Sequence, residues 1–140
     1  MTLPLVEIDY FDHQADIGII GRGKTLEAAF VSAAQAMFNI MVDKAAIAPQ
    51  QSLQFEFEEA EIELALVTWL NLLLAEAKNQ GLVLGKFALR RVADHWYGQA
   101  WGEPWRDDLP RGTEVKGATL TMLAVKPITN GWEARCVVDV

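Results

Sequence analysis

The sequence predicts an α+β fold, two helices packed on a mostly antiparallel sheet in the order β-β-α-β-α-β-β-β-β. Three observations carry this. Apolar residues recur at helical spacing in only two stretches. Alternating or short apolar runs bounded by Gly, Pro and Asn fill most of the rest. The runs after the second helix follow one another with no helix between them, which argues against repeated parallel βαβ units.

Leu5 to Tyr10 alternates and reads as a strand. Ile17 to Ile20 is a second short apolar run. From Thr25 to Met41 the spacing becomes helical: Leu26, Ala29, Phe30, Ala33, Met37, Ile40 and Met41 share one side. Thr25 is a natural N-cap, and Glu27 complements the helix dipole in the first turn. Leu53, Phe55 and Phe57 alternate with polar neighbours as a half-buried strand does.

The second helix carries a wide apolar face of Ile62, Leu66, Trp69, Leu70, Leu73 and Ala77, with Leu64, Val67 and Leu74 beside it. Such a helix belongs near the middle of a core. Gly81 ends it as a left-handed terminator. Val83–Val92 and Trp96–Gly102 follow as strands around an Ala93-Asp94-His95 turn. Residues 103–113 hold Pro104, Pro110 and Gly112 and read as a loop. Val115–Pro127 and Trp132–Val140 form the last pair, joined at Asn130-Gly131, a hairpin signal.

Composition narrows the function. The length of 140 residues fits one domain, 1–140, large enough to build a core without staples. Nineteen Asp and Glu against twelve Lys and Arg leave a formal charge of −7, so a broad basic grip on nucleic acid is not expected. The lone Cys136 excludes an internal disulfide and a cysteine zinc cage. It sits in an apolar strand and reads as an inert core thiol. The first ten residues lack the basic and long apolar regions of a signal peptide, and no stretch is long enough to span a bilayer. A cytoplasmic location is the expectation.

Two motifs invite chemistry. Gly18-Ile-Ile-Gly-Arg-Gly-Lys24-Thr25 matches the spacing of a phosphate-binding loop before a helix, and defines an alternative reading as a small nucleotide-binding module. The run before it is polar, however, and Ile19 and Ile20 look like strand residues. The second motif is a pair of distant carboxylates. Asp16 precedes one apolar run and Asp139 ends another, with the α-carboxylate of Val140 expected one residue further. Oxygens of this kind suit a hard divalent cation. Spacing alone leaves open whether the two meet or stand as separate solvated acids. A single histidine near a turn, His13 reads as a hydrogen-bonded structural residue, and Lys116 reads as an exposed strand charge.

Asp12-His-Gln-Ala-Asp-Ile-Gly18, Lys24-Thr-Leu-Glu-Ala-Ala-Phe30, Ala36-Met-Phe38, Val115-Lys-Gly-Ala-Thr119 and Val137-Val-Asp-Val140, in this order, resemble the archease family along essentially the whole chain. The chain departs from that pattern at Gln14, where the family usually has Thr, and at Thr121, where it often has His. The resemblance implies an accessory protein, not itself an enzyme, that activates a GTP-dependent RNA ligase in tRNA splicing and RNA repair. It implies promotion of ligase guanylylation and of multiple turnover. It also implies a divalent cation, Ca²⁺ foremost with Mg²⁺ or Mn²⁺ as alternatives, held by Asp16, Asp139 and a main-chain or terminal oxygen of Val140. His13, Lys116 and the loop 103–113 become candidates for facing the ligase. Strong direct binding of nucleic acid or membrane is not expected.

Overall fold

The structure, a computed structural model, describes Leu5, residues 7–42 and residues 47–140. Its elements are β1 (Ile8–His13), β2 (Asp16–Gly23), α1 (Leu26–Met41), β3 (Gln51–Glu58), α2 (Ile62–Gln80), β4 (Leu82–Val92), β5 (His95–Pro104), β6 (Gly117–Ala118), β7 (Ala124–Ile128) and β8 (Gly131–Asp139). They form two sheets. One runs β1-β2-β8, with β6 and β7 both pairing the far side of β8; the other runs β3-β5-β4. All of these pairings are antiparallel.

Helix α1 starts where its cap dictates. The Thr25 side chain accepts a hydrogen bond from the Ala28 amide at 3.1 Å, satisfying one of the orphan donors of the first turn. Its buried residues include Ala29, Phe30, Ala33 and Met37, as the 3.6-residue period requires. The helix packs on β2 and β8 of one sheet and on β4 of the other. It comes very close to β2: a Cβ at Gly21 would lie 2.2 Å from the Ala33 backbone nitrogen. Helix α2 ends at Gly81, whose φ of 67° is left-handed and whose amide bonds back to Ala77 and Lys78 carbonyls.

The core is aromatic at its centre. The Trp96 ring is stacked between Phe30 and Phe57, at centroid distances of 5.3 and 5.8 Å. Trp69 meets Phe55 edge-on. Neither buried indole leaves its N–H unpaired: Trp69 donates to the Phe30 carbonyl and Trp96 to the Glu59 carbonyl. Truncating either to Ala would cost about 3–5 kcal/mol.

Several boundaries differ from those read off the sequence. The first strand lies at Ile8–His13 rather than Leu5–Tyr10, and Val6 lies outside the described residues. Val115–Pro127 is not one strand. Its apolar run is broken by a turn in which the Thr121 amide bonds Thr119 Oγ1 and Met122 takes a φ of 55°. Two strands, β6 and β7, result, which adds one to the expected order. His95 belongs to β5 rather than to the turn, and β5 continues through Glu103 and Pro104. Glu103 is 1% exposed despite its charge. It accepts hydrogen bonds from Arg106 Nε and the Ala48 amide, so a residue that reads as loop serves as a buried anchor. The last hairpin turns at Thr129-Asn130, because Ile128 pairs with Gly131 and Asn130 supplies the left-handed φ of 68°. Leu64, expected beside the apolar face of the second helix, is 38% exposed.

Candidate functional site at the ends of β2 and β8

The β1–β2 hairpin turns through Gln14 and Ala15, so that His13 pairs with Asp16. Gln14 takes a φ of 56° at this turn. From Asp16 the chain enters β2, which lies beside β8 with Ile17 opposite Val138. That register brings Asp16 and Asp139 to the same end of neighbouring strands. A direct contact closes the corner: the Val140 amide donates to Asp16 Oδ1 at 3.3 Å. Residues 124 positions apart thus meet because β2 and β8 are adjacent.

The other side of β8 is fixed by β6. Gly117 pairs with Asp139, and the Lys116 amide donates to the Asp139 carbonyl at 2.8 Å. A strand of two residues makes few ladder bonds, and α2 supplies more. Asn71 accepts from the Ala118 amide at 2.8 Å and donates to the Ala118 carbonyl at 3.2 Å. Thr119 Oγ1 adds a bond to the Val137 carbonyl at 2.7 Å. Asn71 and Thr119 were not among the residues singled out from the sequence. A lone amide on an otherwise apolar helix face was the only signal for Asn71.

Asp16, Val140 and His13 are half-buried, whereas Asp139 and Lys116 are exposed. The His13 ring makes no hydrogen bond among the described residues. The donors expected at this corner are the carboxylates of Asp16 and Asp139 and an oxygen of Val140, and of these the Asp16 carboxylate accepts the Val140 amide. Among the described residues no three His, Cys, Asp or Glu side chains group to hold a metal. These donors are hard and few, which fits a Ca²⁺- or Mg²⁺-like ion that keeps part of its water, and does not fit a soft metal.

The apparent phosphate loop dissolves in the fold. Gly18 to Gly23 are residues of β2, with Ile19 and Ile20 buried, so no loop remains to cradle a phosphate. Gly18 faces the Phe11 ring and Gly21 the α1 backbone. Thr25 spends its oxygen on its own helix terminus. Cys136 is buried in β8, and burial pushes its thiol up to about 12. It is an inert core residue, as its strand context suggested.

Beside the corner lies a cleft of about 690 Å³ between α2 and the segment that follows β5. Lys116, Arg111 and Trp105 line it, so one candidate from the corner and part of the predicted loop share one concavity. Among the described residues no helix is long and apolar enough to cross a membrane.

Fold and corner together define a small two-helix α+β protein with an acidic strand end and no phosphate loop at Gly18–Thr25. The model of the archease protein family (MTH1598/TM1083) matches residues 9–140. A protein archease of Methanosarcina barkeri is 32% identical, over 96% of both chains. Those of Sulfolobus acidocaldarius and Thermococcus gammatolerans are 32% and 33% identical, covering 97% and 94% of this chain and 100% and 96% of their own. The solution structure of Methanobacterium thermoautotrophicum protein 1598 superposes with a TM-score of 0.79 at 28% identity, over 95% of this chain and 98% of that one. The chain belongs to the archease family.

Proposed function

We propose that this protein is an accessory factor, not an enzyme in its own right, that activates a GTP-dependent RNA ligase in tRNA splicing and RNA repair. It would promote guanylylation of the ligase and its multiple turnover. Membership of the archease family supports this reading. The single observation that carries it here is the Asp16–Val140 contact, made where the β2–β8 register sets Asp16 and Asp139 at the ends of neighbouring strands.

The residues divide the work. Asp16 and Asp139 hold negative charge at the surface of an acidic protein. The Val140 amide orients Asp16, and the Lys116 amide holds the Asp139 main chain through its carbonyl. Asn71 keeps β6, and with it Lys116, against β8. Asp16, Asp139 and a Val140 oxygen would hold a divalent cation, Ca²⁺ foremost. Such an ion supplies charge neutralisation, on which phosphoryl and nucleotidyl transfer depend. His13 and Lys116 flank the corner and would face the ligase. With a formal charge of −7, the protein would leave the RNA and the nucleotide to its partner.

The test is a turnover assay of the cognate RNA ligase with and without this protein. Stimulation by wild type and its loss in Asp16→Ala and Asp139→Ala support the reading. Undiminished stimulation by either variant sinks the role of the corner, and no stimulation by wild type sinks the function itself.

A further inference from the structure

We propose that the cleft between α2 and residues 105–116 is the groove in which a segment of the partner ligase docks, a segment presenting an apolar side chain flanked by carboxylates. This rests on the ligase-activator reading above and adds to it the surface that carries affinity.

The floor of the cleft is apolar, built from Phe38 and Met41 of α1, Leu74 of α2 and Val115. Its rim carries three cations and one exposed carboxylate, Glu114. Lys78 stands in the last turn of α2, Arg111 on the loop, and Lys116 at the entry to β6. Among the described residues no carboxylate pairs with any of the three, in a chain of net charge −7. Three cations without a carboxylate partner, against the single acid Glu114, leave a net positive rim around an apolar floor, which complements an acidic ligand with an apolar anchor.

Two features favour a peptide over a nucleotide. The Arg111 guanidinium lies over the Trp105 ring at 4.1 Å, so that indole face is already covered and does not offer itself to a base. The cations also come from both walls of the cleft, Lys78 from α2 and Arg111 and Lys116 from positions five residues apart in the facing segment. Lys78 is seven residues along α2 from Asn71, about 10 Å of helix, and Asn71 is the residue that clamps the strand next to Lys116. A triphosphate needs charges that converge, whereas spaced carboxylates need charges that are spread.

The groove is also formed in advance. Glu103 holds Arg106, which holds Asp108. The Gly112 and Thr113 amides bond to the Met41 and Ile40 carbonyls at 2.9 Å, and Val42 bridges to Arg111. A wall tied down this way loses little entropy when a segment docks. Lys116 lies on the rim while its amide holds Asp139, so a docked segment would set the acidic corner in a fixed place on the ligase.

The experiment measures the Kd of the full chain for the cognate ligase by calorimetry, and ligase turnover against concentration of this protein. The variants are Lys78→Glu, Arg111→Glu and the pair, with folding checked by circular dichroism. Lys78→Glu keeps the test valid if Arg111→Glu disturbs the loop. The expected result is a Kd raised by about tenfold or more in the pair, with turnover restored at saturating variant. A pair that binds as wild type does overturns the groove while leaving the activator reading intact, as does GTP alone binding wild type and losing that binding in the pair. A wild type that neither binds nor stimulates the ligase overturns both.

Discussion

The Val140 amide donates to Asp16 Oδ1 across 124 residues of sequence, which ties the turn of the first hairpin to the last strand. This bond needs an acceptor oxygen but not a charge. Asp16→Asn can keep it, whereas Asp16→Ala cannot. The neutral variant is therefore expected to unfold at the same urea concentration as wild type while losing Ca²⁺ affinity in calorimetry and stimulation of the ligase. The alanine variant is expected to lose in addition about 1 kcal/mol of stability. Equal Ca²⁺ binding by wild type and Asp16→Asn would show that the corner holds no cation through this carboxylate.

Asn71 is expected to matter for function without touching the corner. Its amide makes both backbone bonds of Ala118, and losing it leaves an amide and a carbonyl of a half-buried strand without those partners. Asn71→Ala should cost about 1–3 kcal/mol. Hydrogen exchange should speed up at Ala118 and at Lys116 while the amides of β2 stay protected. Uniform loss of protection would instead mean that the clamp supports the whole fold, not the β6 edge.

How much of this was legible in the sequence follows from the range of each interaction. Thr25 and Gly81 mark helix ends through bonds to their own neighbours, so local reading finds them. The acidic corner depends on β2 lying next to β8, a long-range pairing that no periodicity encodes; the family resemblance, not the spacing, joined Asp16 to Asp139. Strand β6 escaped because two residues carry no period and its extra bonds come from Asn71 on a helix. Glu103 escaped because an acid after an apolar run reads as solvated, and its partners Arg106 and Ala48 are seen only in three dimensions.

Two glycines separate close packing from backbone conformation. A methyl group at Gly21 would meet the Ala33 nitrogen at 2.2 Å and the Ala29 oxygen at 2.4 Å, and backbone cannot swing aside. Gly21→Ala should force β2 away from α1 and cost about 1–3 kcal/mol or more. At Gly81 nothing lies within 4 Å, and only the φ of 67° is at stake. Gly81→Ala should cost about 1–2 kcal/mol. Urea denaturation orders the two, and a larger loss at Gly81 would contradict the strand-to-helix contact.

His95 gives the fold a pH dependence whose sign is fixed by its neighbours. Glu56 Oε1 lies 2.8 Å from Nε2 and Glu58 Oε1 3.2 Å from Nδ1, both from β3. Tyr97 of the same strand packs on the ring at 4.6 Å, Val92 opposes it from β4, and Asp94 precedes it in the turn. Hydrogen bonds to Glu56 first and Glu58 second raise its pKa above the ordinary 6.5. A raised folded value means that the stabilisation is complete below 6.5 and fades as pH rises through the folded value. The urea midpoint of wild type should therefore exceed that of His95→Gln most at about pH 6 and by much less at about pH 8. Proton NMR should place the His95 titration above 6.5. A midpoint difference that does not change between these two pH values would mean that the imidazole is not held by the two glutamates.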